Sequence, residues 1–110
     1  MQIILRKKKG ADSPFSFVFK DGEKVIIKSE TYKAKKSALN GIESVKKNCQ
    51  IDARYEFKTA KNGKFFFNIK ASNGQIVGTS GFFDTEEERD KAIEKLKKEA
   101  PNASVTEEEI

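Results

Sequence analysis

The sequence repeats itself once, and this repetition constrains the fold more than any other feature. An offset of 51 residues aligns four pairs in the later part of each copy: Ser29 with Ser80, Tyr32 with Phe83, Ile42 with Ile93 and Val45 with Leu96. An offset of 50 residues aligns three earlier pairs: Phe15 with Phe65, Phe17 with Phe67 and Lys20 with Lys70. The one-residue difference falls in the turns Asp21-Gly22 and Ser72-Asn73-Gly74, where a solvated connection tolerates an insertion.

The length of 110 residues suits one domain, in which two short copies share a single core. We predict repeat one at about residues 1–53, repeat two at about 54–106, and a frayed tail at 107–110. Charged residues make up 35% of the chain, apolar residues 36%, and nine residues are Phe. This balance predicts a soluble domain whose interior depends on aromatic side chains.

Alternating aromatic residues predict the strands. Phe15, Phe17 and Phe19 occur at every second position, which is typical of a half-buried strand. In the second copy, Phe65, Phe67 and Ile69 repeat the pattern. Turn sequences separate the strands in both copies: Asp21-Gly22 in the first, and Asn62-Gly63 and Asn73-Gly74 in the second.

The period then changes to that of a helix. Ala38, Ile42, Val45 and Cys49 lie at i, i+4, i+7 and i+11, on one side of a helix that begins near Lys35. Because Cys49 aligns with Ala100, we interpret it as a small buried residue.

Two further features describe the helices. Gly41 lies inside the first helix and aligns with Ala92 in the second, so we expect the helix to approach the sheet closely there, and a larger side chain at either site should push the helix away. The second helix is predicted to begin at Asp84 or Thr85, with Glu87 or Glu88 completing a capping box.

The half-motifs SETYKAKKSALNGIESVKKN and FNIKASNGQIVGTS resemble the YegP-like family of small bacterial proteins. The resemblance implies an α+β fold of two tandem pseudo-symmetric β-β-β-α-β repeats that share one antiparallel sheet, with two helices packed on one face. It implies exchange of the last strand of each repeat, and no established activity. Ala34 departs from the family pattern where a capping Ser is expected, and Ala92 departs where a Gly is expected.

The composition argues against several classes of function. The chain has no His and one Cys, so neither a Cys/His zinc site nor an internal disulfide is expected, and we predict no metal and no cofactor. No nucleophile motif or phosphate-binding loop is present, so we predict that the protein is not an enzyme. The sequence shows no secretory or membrane-spanning segment, which favours a cytoplasmic location.

One candidate binding surface is a strand face formed by Lys64, Phe66, Asn68 and Lys70. An aromatic ring between cations on a sheet can stack single-stranded bases and hold their phosphates, as in RNA or single-stranded DNA binding. The matching face in the first copy lacks an aromatic residue, with Ser16 and Val18 in its place. A structural role for Phe66 at a sheet edge is the alternative.

A second candidate is Lys33, Lys35 and Lys36 at the start of the first helix, where cations oppose the helix dipole and the cap is missing. These lysines could hold a phosphate or an acidic partner, and the alternative is an exposed soluble surface. Residues 1–52 carry a net charge of +6 and residues 53–110 a net charge of −1, which agrees with either interpretation.

A third hypothesis needs no special residue, because the open face of the sheet could receive a protein partner or form a homodimer. The sequence as a whole predicts a non-catalytic binding or interaction module of unknown role. Weak binding of single-stranded nucleic acid, RNA above all, is the alternative.

Overall fold

The computed structural model describes residues 1–110 and contains one sheet and two α-helices. The seven strands are β1 Gln2–Lys7, β2 Phe15–Asp21, β3 Lys24–Lys28, β4 Tyr55–Thr59, β5 Phe65–Lys70, β6 Ile76–Ser80 and β7 Ser104–Glu109. The helices are α1 Lys35–Asn48 and α2 Glu86–Glu99, and short 3-10 helices follow them at Asp52–Arg54 and Ala100–Asn102. The fold is therefore α+β, as the sequence predicts.

The strand order across the sheet is β4-β5-β6-β3-β2-β1-β7. All neighbouring strands are antiparallel except β1 and β7, which are parallel. The prediction of an antiparallel sheet was therefore wrong at this edge. β1 pairs with one edge of β2, so this edge is not available to β7. β7 pairs with the free edge of β1, and both β1 and β7 run antiparallel to β2.

Both helices pack on the same face of the sheet, since one buried cluster of 18 residues contains side chains from both of them and from the strands. The largest fully buried side chains in this cluster are Phe17, Phe19, Phe67, Phe83, Ile3, Ile27, Ile42, Ile69 and Leu96. We call this side of the sheet the inner face and the opposite side the outer face.

Gly41 marks the closest approach of α1 to its neighbours. A Cβ atom placed there would lie 2.6 Å from Oη of Tyr32 and 2.9 Å from Cε2 of Phe17. The close approach predicted from the repeat alignment is confirmed, and the atoms that enforce it belong to two aromatic side chains.

The two helices begin differently. The side chain of Thr85 caps α2, with its Oγ1 accepting a hydrogen bond of 3.1 Å from the N–H of Glu88. Ala34 occupies the same position before α1 and makes no side-chain hydrogen bond. Both observations agree with the capping pattern read from the sequence.

Residues 107–109 continue the last strand, where a frayed tail was expected. β7 extends to Glu109, with Glu107, Glu108 and Glu109 opposite Leu5, Arg6 and Lys7 of β1. The N–H of Ile110 also donates a hydrogen bond of 2.9 Å to the carbonyl of Lys7. The polar residues gave no strand pattern, but backbone pairing with a free sheet edge does not require buried side chains.

Candidate functional site

The outer face carries an excess of positive charge. Strand register and side-chain alternation place five cations on it, namely Arg6, Lys20, Lys28, Lys58 and Lys70, together with two anions, Glu56 and Glu108. Of the five cations, only Lys70 forms an ion pair within the chain, to Glu56 at 2.8 Å. This face is therefore suited to a partner that brings negative charge.

Phe66 lies on the outer face as predicted, but it is half-buried and does not act alone. Its ring meets the ring of Phe82 edge to face, with 5.6 Å between the centroids. Phe82 is 59% exposed, while the next residue, Phe83, is buried in the core. Together Phe66 and Phe82 form an aromatic pair that is open to solvent.

Sequence reasoning missed Phe82, although the doublet Phe82-Phe83 contained the necessary information. Adjacent residues in an extended segment point to opposite sides, so one ring of such a doublet faces away from the core. The first copy has Thr31 at the position matching Phe82, so only the second copy has this aromatic pair.

Asn68 and Lys70 belong to a polar network and not to an open cationic platform. Asn68 is 5% exposed, its Nδ2 donates to Oε1 of Glu56 at 3.0 Å, and its Oδ1 accepts from Oγ1 of Thr79 at 2.8 Å. Hydrogen bonds from Lys70 and Asn68 hold the pKa of Glu56 below its usual range. Both residues therefore already use their polar groups within the sheet.

Lys64 is also engaged, since its Nζ lies 3.3 Å from a carboxylate oxygen of Asp84. The three polar residues of the predicted strand face therefore all have partners within the chain, although Lys64 remains exposed, and Phe66 packs against Phe82. Lys58, which lies directly opposite Phe66 on the neighbouring strand, is exposed and makes no ion pair.

The three lysines at the start of α1 lie elsewhere. Lys35 forms an ion pair of 2.6 Å with Glu107, whereas Lys33 and Lys36 are exposed and unpaired. This pair places the start of α1 beside β7, and four strands separate β7 from β5 in the sheet. The two predicted lysine groups therefore do not form one site.

A shallow cleft of about 350 Å³ lies beside Lys35. Its lining residues are Leu5, Lys7, Phe15, Lys35, Glu107, Glu108 and Glu109. The three carboxylates oppose the two lysines, so the cleft offers no uniform charge to an anion and no group of converging reactive side chains.

Cys49 does not provide a reactive group. It is fully buried, as predicted, and burial raises the pKa of its thiol, which disfavours the nucleophilic thiolate. The hydroxyl of Tyr55 donates a hydrogen bond of 2.8 Å to the backbone carbonyl of Cys49, and burial raises the pKa of this hydroxyl as well. These groups stabilise the end of α1.

Comparison with known proteins identifies the family. A model described as "Domain of unknown function (DUF1508)" matches the chain twice, at residues 11–56 and 60–107. The chain belongs to this family. A UPF0339 protein of Acinetobacter baylyi is 52% identical over 95 residues, which cover 86% of each protein.

Two solved structures of DUF1508 relatives have the same fold. The solution NMR structure of a UPF0339 protein from Shewanella oneidensis has a TM-score of 0.87 and 38% identity, covering 98% of this chain and 91% of that chain. The solution NMR structure of YegP from Escherichia coli has a TM-score of 0.84 and 40% identity, covering 99% and 95%. The resemblance to the YegP-like family is therefore confirmed.

The family model is described as a domain of unknown function and YegP as a protein of unknown function, so these descriptions assign no activity to the aromatic pair or to the lysines. No helix of the structure combines the length and the apolar character that crossing a bilayer demands.

Proposed function

We propose that the protein is a non-catalytic binding module that acts in the cytoplasm and binds its partner through the outer face of the sheet. The observation that carries this proposal is the exposure of Phe82, which is 59% accessible and packs against Phe66. A phenylalanine ring left in water loses the stabilisation that burial would provide, and exposed aromatic groups are enriched where proteins meet partners.

The charges around this aromatic pair support the proposal. Lys58 lies opposite Phe66, and Lys28 lies opposite Thr79, which is itself opposite Asn68. Neither lysine is paired with a carboxylate within the chain. An anionic partner would therefore meet free cations beside an apolar anchor. This arrangement raises the association rate and makes binding more specific.

Site-specific photo-crosslinking in cells would test this function. A photoreactive phenylalanine analogue placed at Phe82 should give discrete adducts, because the partner covers this position. The same analogue placed at Lys98, an exposed residue of α2 on the other side of the molecule, is the matched control. Equal adduct patterns from the two positions would refute the proposal.

Single-stranded RNA is the second candidate partner, favoured by the proximity of Lys58 to the aromatic pair. A base could stack on the exposed ring of Phe82 while Lys58 and Lys28 contact phosphates. Lys70 contributes less than the sequence suggested, since Glu56 already binds its ammonium group at 2.8 Å.

Fluorescence anisotropy with labelled oligouridine and labelled single-stranded DNA tests whether the partner is a nucleic acid or a protein. We expect salt-sensitive binding that weakens at least about tenfold in Phe82→Ala, as loss of one stacked base predicts. The triple variant Lys33/Lys35/Lys36→Ala is the control, because these residues lie away from the outer-face aromatic pair. Absence of binding at low salt would exclude nucleic acid and leave a protein partner.

We infer in addition that the domain consists of two tandem repeats, at about residues 1–53 and 54–106. Equivalent contacts in the two halves support this. Oγ of Ser29 accepts from the N–H of Phe17 at 2.8 Å, and Oγ of Ser80 accepts from the N–H of Phe67 at 2.9 Å. The two matches to the family model agree with the same division. The aromatic pair then belongs to one repeat only, so the proposed binding surface breaks the symmetry.

A further inference from the structure

Strand β4 forms one edge of the sheet, and its outward backbone groups can be identified. The N–H of Ala60 donates to the carbonyl of Lys64 at 2.8 Å, which directs the backbone of Ala60 toward β5. Because directions alternate along an antiparallel strand, Glu56 and Lys58 also bond to β5. The backbone N–H and C=O groups of Phe57 and Thr59, and the C=O of Tyr55, therefore face solvent.

The order of charges along β4 is complementary to itself. When two copies of this strand pair antiparallel about Phe57, Glu56 of each copy lies opposite Lys58 of the other. Opposite charges directly across a strand pair are stabilising, and here the arrangement occurs twice by symmetry. Lys58 has no ion pair within its own chain, and the carboxylate of Glu56, which Lys70 and Asn68 already contact, has further lone pairs that can accept from it.

The hydrogen-bonding groups fit the same register. The two Phe57 residues would exchange a pair of backbone hydrogen bonds, and the N–H of each Thr59 would reach the C=O of Tyr55 in the other copy. The N–H of Tyr55 is not needed, and it already donates to the carbonyl of Asp52. A shift of one residue would place the outward groups of Phe57 and Thr59 opposite residues of the other copy whose backbone groups face β5, and these bonds would be lost.

The side chains on the inner side of this edge also suit a second copy. Phe57 is 55% exposed, its ring stacks on Tyr55 at 6.3 Å between centroids, and the guanidinium carbon of Arg89 lies 4.4 Å from its centroid. Two Phe57 rings would therefore meet across the strand pair while already held in position by their own chains.

The opposite edge of the sheet behaves differently. β7 presents Glu107, Glu108 and Glu109, and charged residues on an edge strand oppose further pairing. β4 contains neither a run of like charge nor a proline. We propose that β4 is a self-association edge, through which two copies of this chain join their sheets around a twofold axis at Phe57.

Sedimentation velocity between about 1 µM and about 1 mM protein tests this proposal. A strand-to-strand contact is small, so we expect a weak monomer–dimer equilibrium. Lys58→Glu should weaken the dimer roughly tenfold or more, since two attractive pairs become repulsive. Glu56→Lys, which also removes the partner of Lys70 and Asn68 within the chain, should weaken it at least as much. An equimolar mixture of the two variants should associate again, because each glutamate then meets a lysine.

Amide hydrogen exchange provides a second measurement that reports on this register. Protection of Phe57 and Thr59 should rise with protein concentration, whereas Glu56 and Lys58 should be protected at every concentration by β5. A monomer at all concentrations would overturn the proposal, as would a dimer insensitive to Lys58→Glu. If β4 instead pairs with an extended segment of another protein, the amides of Phe57 and Thr59 should become protected only when that protein is added. This result would also overturn the proposal of self-association.

Discussion

Gly41 shows how one residue determines the distance between a helix and a sheet. Replacing Gly by Ala inside a helix normally adds about 1 kcal/mol of stability. At this position, however, the new methyl group would lie 2.6 Å from Tyr32 and 2.9 Å from Phe17, which is fully buried. The ring of Phe17 lies in the buried cluster beneath α1, so a shift of this ring would disturb the side chains packed around it.

We therefore expect Gly41→Ala to lower the free energy of unfolding by about 1–3 kcal/mol, as overpacking of a core does. Urea denaturation of the wild type and the variant gives this difference. Ala92→Gly in α2 is the reciprocal control, and it should cost about 1–2 kcal/mol through helix propensity and the loss of a buried methyl group. A Gly41→Ala variant more stable than the wild type would show that α1 moves freely on the sheet.

Other residues show what the sequence could and could not predict. The alignment of Gly41 with Ala92 indicated a close approach, because only one copy tolerates a methyl group. The pairing of Lys70 with Glu56 was not predictable, since it joins strands whose register is set by the whole sheet. Candidate binding residues therefore need the pairing of strands before their availability can be judged.

At the scale of elements, the two helices differ in how they begin. Thr85 caps α2, and three glutamates in its first turn interact favourably with the helix dipole. Ala34 leaves the first N–H groups of α1 without a side-chain acceptor, and Lys35 and Lys36 follow it. This difference was visible in the sequence, because capping depends on residues close together in the chain.

Ala34→Ser should consequently raise the free energy of unfolding by about 1 kcal/mol, because the serine hydroxyl can accept a hydrogen bond from the first turn of α1. Ala34 already has the extended backbone that a capping residue adopts, with φ −120° and ψ 144°. Thermal or urea denaturation measures the change. Thr85→Ala is the matched variant and should lose a similar amount, and an unchanged stability in Ala34→Ser would mean that another group already satisfies this turn.

At the scale of the whole molecule, the sequence predicted the strands with alternating aromatic residues but not the order of the entire sheet. β2 and β5 were evident because their buried rings recur at every second position. β7 was expected only as a short last strand of the second repeat, and its acidic end was missed, since all six of its side chains are exposed and its position depends on a free edge far away in the chain. Periodicity records burial, so a strand without a buried side chain leaves little trace in it.

The exposure of β7 leads to a prediction about the complete fold. The buried cluster ends at Ala103, immediately before β7, so a chain truncated after Ala103 keeps every residue of that cluster. The lost backbone hydrogen bonds are largely offset by the conformational entropy that the released residues regain. Loss of the exposed pair between Lys35 and Glu107 costs at most about 1 kcal/mol.

We therefore expect the truncated protein to unfold cooperatively, with stability reduced by only about 1–2 kcal/mol. Urea denaturation measures this loss, and hydrogen exchange should show faster exchange for those amides of β1 that bond to β7. A truncation that also removes Ala103, which is 8% exposed in the core, should be less stable still. If removal of residues 104–110 alone unfolded the domain, β7 would be part of the cooperative core despite its exposed side chains, because the pairing with β1 would then contribute more than its entropic cost.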